Sequence, residues 1–232
     1  VFDAVQNGDA QFGVLPFENS NAGDVSAVLD LLYTHPDIIV THMQDMPIQQ
    51  DLLGVKGAKL SNVRTVISHP QALAQSSVFL QQHGFATQSW INTADAAKHI
   101  AELNDPTVAA IASAETAALY GLEVLVPRIN TDGDNTTRFI VISREKPTAG
   151  NRFSLLFTVD NKPGKLAEVI QVIGASGFNM ESIKSRPMPH VPFEYYFYVE
   201  LVGDPTADET AALLRELDRT CRTVRLLGVY TK

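Results

Sequence analysis

Cysteine is almost absent, with Cys221 standing alone in 232 residues. That excludes a disulfide framework and a cysteine-based metal site. The thiol sits in a helical pattern, LLRELDRTC, which marks it as buried or inert rather than a nucleophile. No apolar run reaches 18 residues and no signal peptide is visible, so no membrane partner is expected and the cytoplasm is the default compartment. Basic blocks are missing too: 26 acids stand against 18 Lys and Arg, a formal net charge of −8, which argues against a nucleic-acid partner. No His/Cys/acid spacing offers a plausible metal-ligand set. An initial Met is lacking as well. The chain opens VFDAVQNGDAQFGVLPFENS, and Val1–Gln6 reads as the tail of a helix, so the native start is expected to be missing.

The length suggests one large or two small domains, and 45% hydrophobic residues is ordinary for a globular chain. Strand and helix patterns alternate from the start. Apolar runs at Phe12–Pro16, Ile38–Met46, Val63–Ser68, Phe85–Trp90, Val108–Ala112, Leu122–Val126 and Arg138–Ser143 read as strands. Helices are expected at Val25–Tyr33, from Pro70 to a stop at Gly84, at Ala94–Glu102 and at Ala114–Tyr120. Such alternation implies a mostly parallel sheet with helices on both faces. EKPTAGN, residues 145–151, is a linker by composition.

Three stretches place polar groups at strand ends, where open α/β sheets keep ligands. The richest is Gly133–Ile140, GDNTTRFI. There Thr136 and Thr137 offer hydroxyls, and Arg138 offers a fork suited to a carboxylate. A turn with an Asx bond and a surface arginine is the plainer reading of the same residues. FENSNAGDV puts Glu18, Asn19 and Ser20 just after a strand, with Asn21–Asp24 a candidate cap for the next helix. SHPQALAQ sets Ser68 or His69 at a helix cap, Pro70 in its first turn, and Gln71 and Gln75 on one face. Capping and a wet helix face account equally for these last two when each is taken alone.

After the linker the order changes. Strand Arg152–Val159, turn Asn161–Gly164, helix Leu166–Gly174, strands Phe178–Ile183 and Tyr195–Val202, helix Ala207–Cys221 and strand Val224–Tyr230 give βαββαβ, the ferredoxin-like order. No catalytic constellation stands out there, so a regulatory or oligomerising module is expected.

LPFENSNAGDV, SHPQALAQ and NTTRF, in that order and spacing, resemble the prephenate dehydratase family, and NKPGKLAEV with NMESIKSRP resembles its C-terminal ACT domain. The resemblance covers essentially the whole chain. It implies an α/β fold: a two-lobed, periplasmic-binding-protein-like dehydratase domain over 1–146, N-terminally incomplete, with the active site between lobes, and an ACT regulatory domain over 151–232. It implies conversion of prephenate to phenylpyruvate, water and CO₂, without a cofactor, in phenylalanine synthesis. The family's catalytic residues fall on Thr137, Asn19 and Gln71, with Ser20, His69, Thr136, Arg138 and Phe139 as substrate contacts. Asn19 and Gln71 are expected on the cleft surface, outside the core, and Arg138 either to bind a carboxylate or to tie the loop to its own domain. L-Phenylalanine is the implied effector, held between subunits of a homodimer or homotetramer by Pro163, Gly164, Lys165, Leu166, Ile183, Lys184, Ser185, Arg186 and Pro187. Two departures stand out: the family's opening strand and Gly-rich turn are missing, and Lys184 replaces a glutamate. The alternatives are an arogenate dehydratase, a non-catalytic amino-acid or aromatic-acid binder, and a chain once joined to an upstream chorismate mutase domain.

Overall fold

A computed structural model describes residues 1–130, 135–147 and 149–231. The expected site positions Gly133 and Asp134 lie outside the described residues. The first stretch runs α1 (Phe2–Asn7), β1 (Gly13–Asn19), β2 (Gly23–Asp24), α2 (Ser26–Thr34) and β3 (Ile39–Pro47). Next come β4 (Asp51–Gly54), β5 (Thr65–Ser68), α3 (Pro70–Gln75), α4 (Ser77–Gln82), β6 (Ala86–Ser89) and α5 (Thr93–Leu103). They are followed by β7 (Val108–Ala112), α6 (Ala114–Tyr120), β8 (Glu123–Val126) and β9 (Thr136–Ser143). The last stretch is β10 (Arg152–Thr158), α7 (Lys165–Ala175), β11 (Asn179–Pro187), β12 (Tyr195–Val202), α8 (Asp208–Thr220) and β13 (Thr223–Tyr230).

Two compact units result. One joins Val1–Met46 to Thr137–Lys232, and the other is Pro47–Thr136. The boundary therefore does not fall at the linker, because the ferredoxin-like part packs with the first lobe.

In the smaller unit the strand order is β6-β5-β7-β4-β8. β5 runs parallel to β6 and β7, whereas β4 is antiparallel to β7 and β8. Helix α5 starts where the Asn92 side chain accepts from the Asp95 N–H at 2.6 Å, and α6 where Ser113 accepts from Thr116 at 3.4 Å. Both bury small residues, Ala96, Ala97 and Ala117, against Leu53, Ala110 and Ala112 of the sheet. The single helix expected up to Gly84 is instead two, broken at Ser76, where φ is −106° and the side chain is fully buried.

The larger unit holds one sheet of order β11-β12-β10-β13-β3-β9-β1-β2. Its second half has the βαββαβ order. α7 and α8 cover one face through Val169, Ile173, Leu213 and Leu217 on Phe153, Leu155, Phe157, Val199 and Leu201. Leu156, Tyr196 and Tyr198 point the other way and join the core of the first lobe, with Phe17, Val28, Leu29, Leu32 and Ile140. Burying each such large apolar side chain is worth about 1.5–3 kcal/mol, so this face binds the two halves strongly.

The sheet is continuous through a single parallel pairing of Gly228 with Val40. A Cβ at Gly228 would lie 2.8 Å from both the Val40 Cβ and its carbonyl oxygen, so only glycine permits the approach. The mostly parallel sheet expected from the alternating elements is thus corrected. Among the described pairings, parallel pairing holds for β6–β5–β7 and for this one join, while β9 pairs with β1 and β4 pairs with β7 and β8 antiparallel.

Candidate active site

β1 and β9 lie antiparallel with Asn19 opposite Thr137, and the register slips by one residue between Pro16 and Glu18. Asn19 Oδ1 accepts from the backbone N–H groups of Asn21 at 3.1 Å and Ala22 at 2.9 Å. That turn assigns the amide, since the oxygen must face the two donors and Nδ2 must face Thr137. Nδ2 donates to Thr137 Oγ1 at 3.0 Å. The Thr137 oxygen is thereby an acceptor toward Asn19, and its own O–H remains a donor aimed elsewhere. Asn19 is 8% exposed, more buried than the cleft-surface position expected for it, yet its amide meets Thr137. Residues 21–24 do not cap α2. They form the turn and β2, and α2 begins at Ser26 with Val25 at its N-cap and no side-chain cap. Ser20 is exposed on this turn, and Thr136 and Phe139 are half-buried on β9.

In the smaller unit, β5 delivers His69 and Gln71 to the start of α3. Ser68 is fully buried and donates to the Ile111 carbonyl at 2.7 Å, so the cap falls on His69. Its Nδ1 accepts from the Gln71 N–H at 3.2 Å, which places a neutral ring's proton on Nε2. The Gln71 side chain is exposed in the first turn. Gln75, expected on the same face, accepts from Asn135 Nδ2 at 3.1 Å. Asn135 is buried, and its carbonyl accepts from Ile48 N–H at 2.7 Å. Together these bonds anchor the residue that leads into β9.

Arg138 uses its fork within its own unit. Nε and Nη2 meet the two Asp45 oxygens at 2.7 and 3.0 Å, and Nη1 lies 3.5 Å from Glu18. The Asp45 bond holds the guanidinium protonated more firmly than usual. Of the two uses weighed for Arg138, the geometry supports the tie.

The expected effector residues fall on two faces. Gly164, at φ 86°, caps α7 after Pro163, and Lys165 pairs with Glu168 at 2.7 Å. Leu166 lines a cavity of about 210 Å³ with Val159, Asp160, Asn161, Lys162, Glu194, Tyr195 and Phe197. Ile183 and Ser185 oppose Val199 and Phe197 on this helix-covered face. Ile183 is half-exposed, and it and Ser185 do not line the cavity.

Lys184 and Arg186 oppose Tyr198 and Tyr196, and so point toward the first lobe. Lys184 Nζ sits 3.1 Å from Glu18, contacts Asp24, and lies 5.0 Å from the Phe17 ring centroid. It faces neither the cavity nor open solvent. Arg186 forks onto Asp30 at 3.1 and 2.6 Å, and Tyr196 Oη adds a bond at 2.7 Å. The Arg186 bond holds the Asp30 carboxyl below the usual range, and burial raises Tyr196. Pro187, the exposed end of the strand, pairs with Tyr195. Cys221 closes α8, its thiol pushed up to about 11 by burial, as an inert thiol should be.

A family model described as prephenate dehydratase matches residues 1–147, and one described as ACT domain matches residues 153–219. The chain belongs to the prephenate dehydratase family. Its relatives in this family include the arogenate dehydratase/prephenate dehydratase 2, chloroplastic, of Arabidopsis thaliana, 36% identical over 99% of this chain and 63% of the relative. The prephenate dehydratase of Methanocaldococcus jannaschii is 34% identical over 99% of this chain and 84% of the relative. The chain thus spans less than two thirds of the plant protein's length. Among solved structures, the prephenate dehydratase of Arthrobacter aurescens in complex with L-Phe is 29% identical with a TM-score of 0.90, covering 99% of this chain and 78% of that one. A structure described as GqqA, a novel type of quorum quenching acylase, is 31% identical with a TM-score of 0.89, covering 99% of this chain and 84% of that one. Among the described residues of this prephenate dehydratase-family chain, no helix is long and apolar enough to cross a membrane.

Proposed function

We propose that the protein is a prephenate dehydratase, converting prephenate to phenylpyruvate, water and CO₂ under feedback control by L-phenylalanine. The observation that carries this reading is the 3.0 Å bond from Asn19 Nδ2 to Thr137 Oγ1. It fixes the polarity of the threonine hydroxyl, leaving its proton available to the oxygen that departs from the substrate ring.

The C–C bond to the ring carboxylate breaks as CO₂ leaves. That electron pair completes the aromatic ring and expels the ring hydroxyl, which takes a proton and leaves as water. Aromatisation supplies the driving force, so a weak acid suffices if it is well placed. Thr137 donates to the leaving oxygen, and Asn19 orients Thr137. Gln71, with His69, Ser20, Thr136 and Phe139, is assigned to substrate capture, and Arg138 to holding the β9 entry. No metal or organic cofactor enters these steps. The functional division follows residues 1–146 for chemistry and 151–232 for control.

For the effector, the 210 Å³ cavity offers apolar walls in Leu166, Val159 and Phe197, and carboxylates at Asp160 and Glu194, which pair with Lys162 and Arg222 and would be shared with a ligand ammonium group. Backbone N–H groups at the start of α7 suit a carboxylate. This reading assigns the effector to the turn Pro163–Leu166 and its surroundings. A homodimer or homotetramer in the cytoplasm is the expected assembly.

A second reading, arogenate dehydratase, is favoured by the double name of the Arabidopsis relative. Incubating the full-length protein with prephenate and with arogenate, and following phenylpyruvate and phenylalanine, decides between them. Turnover of neither overturns both and leaves a binding protein or the acylase activity named for one structural relative.

A further inference from the structure

Glu18 and Asp24 stand directly opposite each other on the two legs of the β1–β2 hairpin, with Asn19 opposite Gly23 at its tip. Two carboxylates facing across an antiparallel pair repel and would splay the legs. The Nζ of Lys184, from the ACT half, reaches both: Glu18 Oε1 at 3.1 Å, and Asp24. The Lys184 side chain is 8% exposed, with its ammonium against the Phe17 ring, so the contact is enclosed rather than a solvated surface pair. The other Glu18 oxygen faces Arg138 at 3.5 Å, and Arg138 is held by Asp45 at 2.7 Å. The charges therefore alternate along a chain: Asp24, Lys184, Glu18, Arg138, Asp45.

Each residue of the catalytic pair adjoins one member of that chain. Asn19 follows Glu18 on β1, and Thr137 precedes Arg138 on β9. Along a strand, neighbouring side chains alternate faces. The ions thus grip the backbone from one side while the Asn19 and Thr137 side chains meet on the other.

We infer that Lys184 is a positioning residue of the dehydratase site, clamping the Glu18–Asp24 hairpin so that Asn19 stays bonded to Thr137. This rests on the dehydratase reading above and assigns that site a determinant in the regulatory half. The lysine acts through charge. It offsets the opposed acids, and a displacement of β11 would release the hairpin.

The test uses the full-length protein without effector, with two readouts: steady-state phenylpyruvate formation, and the Asn19 side-chain amide signal in a ¹⁵N NMR spectrum. Lys184→Met is expected to lower kcat about tenfold at nearly constant KM, since small misplacements in a site are costly. It is also expected to move the Asn19 amide signal. Lys184→Arg, which keeps the charge, should stay within about twofold of wild type in kcat. Adding Asp24→Asn to Lys184→Met removes the repulsion and should restore both readouts, which a merely structural role would not produce. Wild-type kcat with an unmoved amide signal in Lys184→Met overturns the inference, as does a double variant that shows no recovery. Should Lys184→Met fail to fold, the double variant alone decides. A folded protein with the wild-type Asn19 signal supports the clamp, and an unfolded or displaced one overturns it. A wild-type protein inactive on prephenate would sink the functional reading only, because the NMR readout still judges the clamp.

Discussion

The two faces of β11 carry different work. On one, Lys184 and Arg186 are tied to Glu18, Asp24 and Asp30 of the first lobe. On the other, Ile183 and Ser185 oppose Val199 and Phe197 of the helix-covered layer, beside the cavity at the start of α7. A strand alternates its side chains with period two, so a single nine-residue segment addresses both partners without either set intruding on the other. Substitutions should therefore separate cleanly into those that reach the chemistry and those that reach the effector.

The largest effect is expected at the residue that the lobe-facing side supports. Thr137→Ala should lower kcat roughly 10²–10³-fold, the usual loss for one positioned donor, with the melting temperature little changed. Wild-type turnover in that variant would remove Thr137 from the mechanism. Next comes the join that keeps the two halves in one sheet. Gly228→Ala places a methyl 2.8 Å from Val40, so thermal unfolding should report a loss of about 1–3 kcal/mol, as for other overpacked sites.

Lys184→Glu sharpens the comparison further, since it sets a third carboxylate beside Glu18 and Asp24. A fall in kcat of about tenfold or more, with phenylalanine affinity unchanged by calorimetry, is expected, because buried like charges are costly. A gain in phenylalanine affinity would instead return this residue to the effector site. On the opposite face, Leu166→Ala should weaken phenylalanine binding roughly five- to tenfold, a typical worth for apolar pocket contacts. No heat of binding in the parent protein would make the ACT half an assembly module only.

The smallest effect is electrostatic. The Asp30 carboxyl titrates below its usual range because Arg186 donates to it, so its contribution is present above the ordinary Asp value and fades as pH falls through the folded one. Asp30→Asn should accordingly flatten the acid limb of melting temperature between about pH 5 and pH 3. An unchanged limb would show that the pair adds nothing measurable.

Much of this was legible in the residues. β7, α6 and β12 lie where apolar runs and caps place them, and the βαββαβ order follows from period alone. Amides and hydroxyls at strand ends flag the stretches that hold Asn19 and Thr137, but the family resemblance, not the pattern alone, singles out the two residues. What escaped the sequence has a physical cause. β4 is four residues, all buried, behind a polar lead-in, so no alternation marks it. The acids that hold Arg138, Lys184 and Arg186 lie 93, 160 and 156 residues away from them, and no local pattern signals a pairing at that distance. β11 is expected to end at Ile183, before a Pro-rich loop, yet it runs on to Pro187, because the edge of a sheet tolerates a residue without an N–H.

The Gly228–Val40 join also bears on how such a protein can be cut. Residues 145–151 read as a hinge between two separable modules, but the tether is the least of what connects them. Excised alone, residues 151–232 would bare the β13 edge together with a greasy face of Leu156, Tyr196 and Tyr198. An open strand edge beside exposed aromatics is an invitation to self-association. A fragment prepared to study regulation in isolation would then report on its own aggregation, and nicking the linker while leaving both pieces docked is the more faithful dissection.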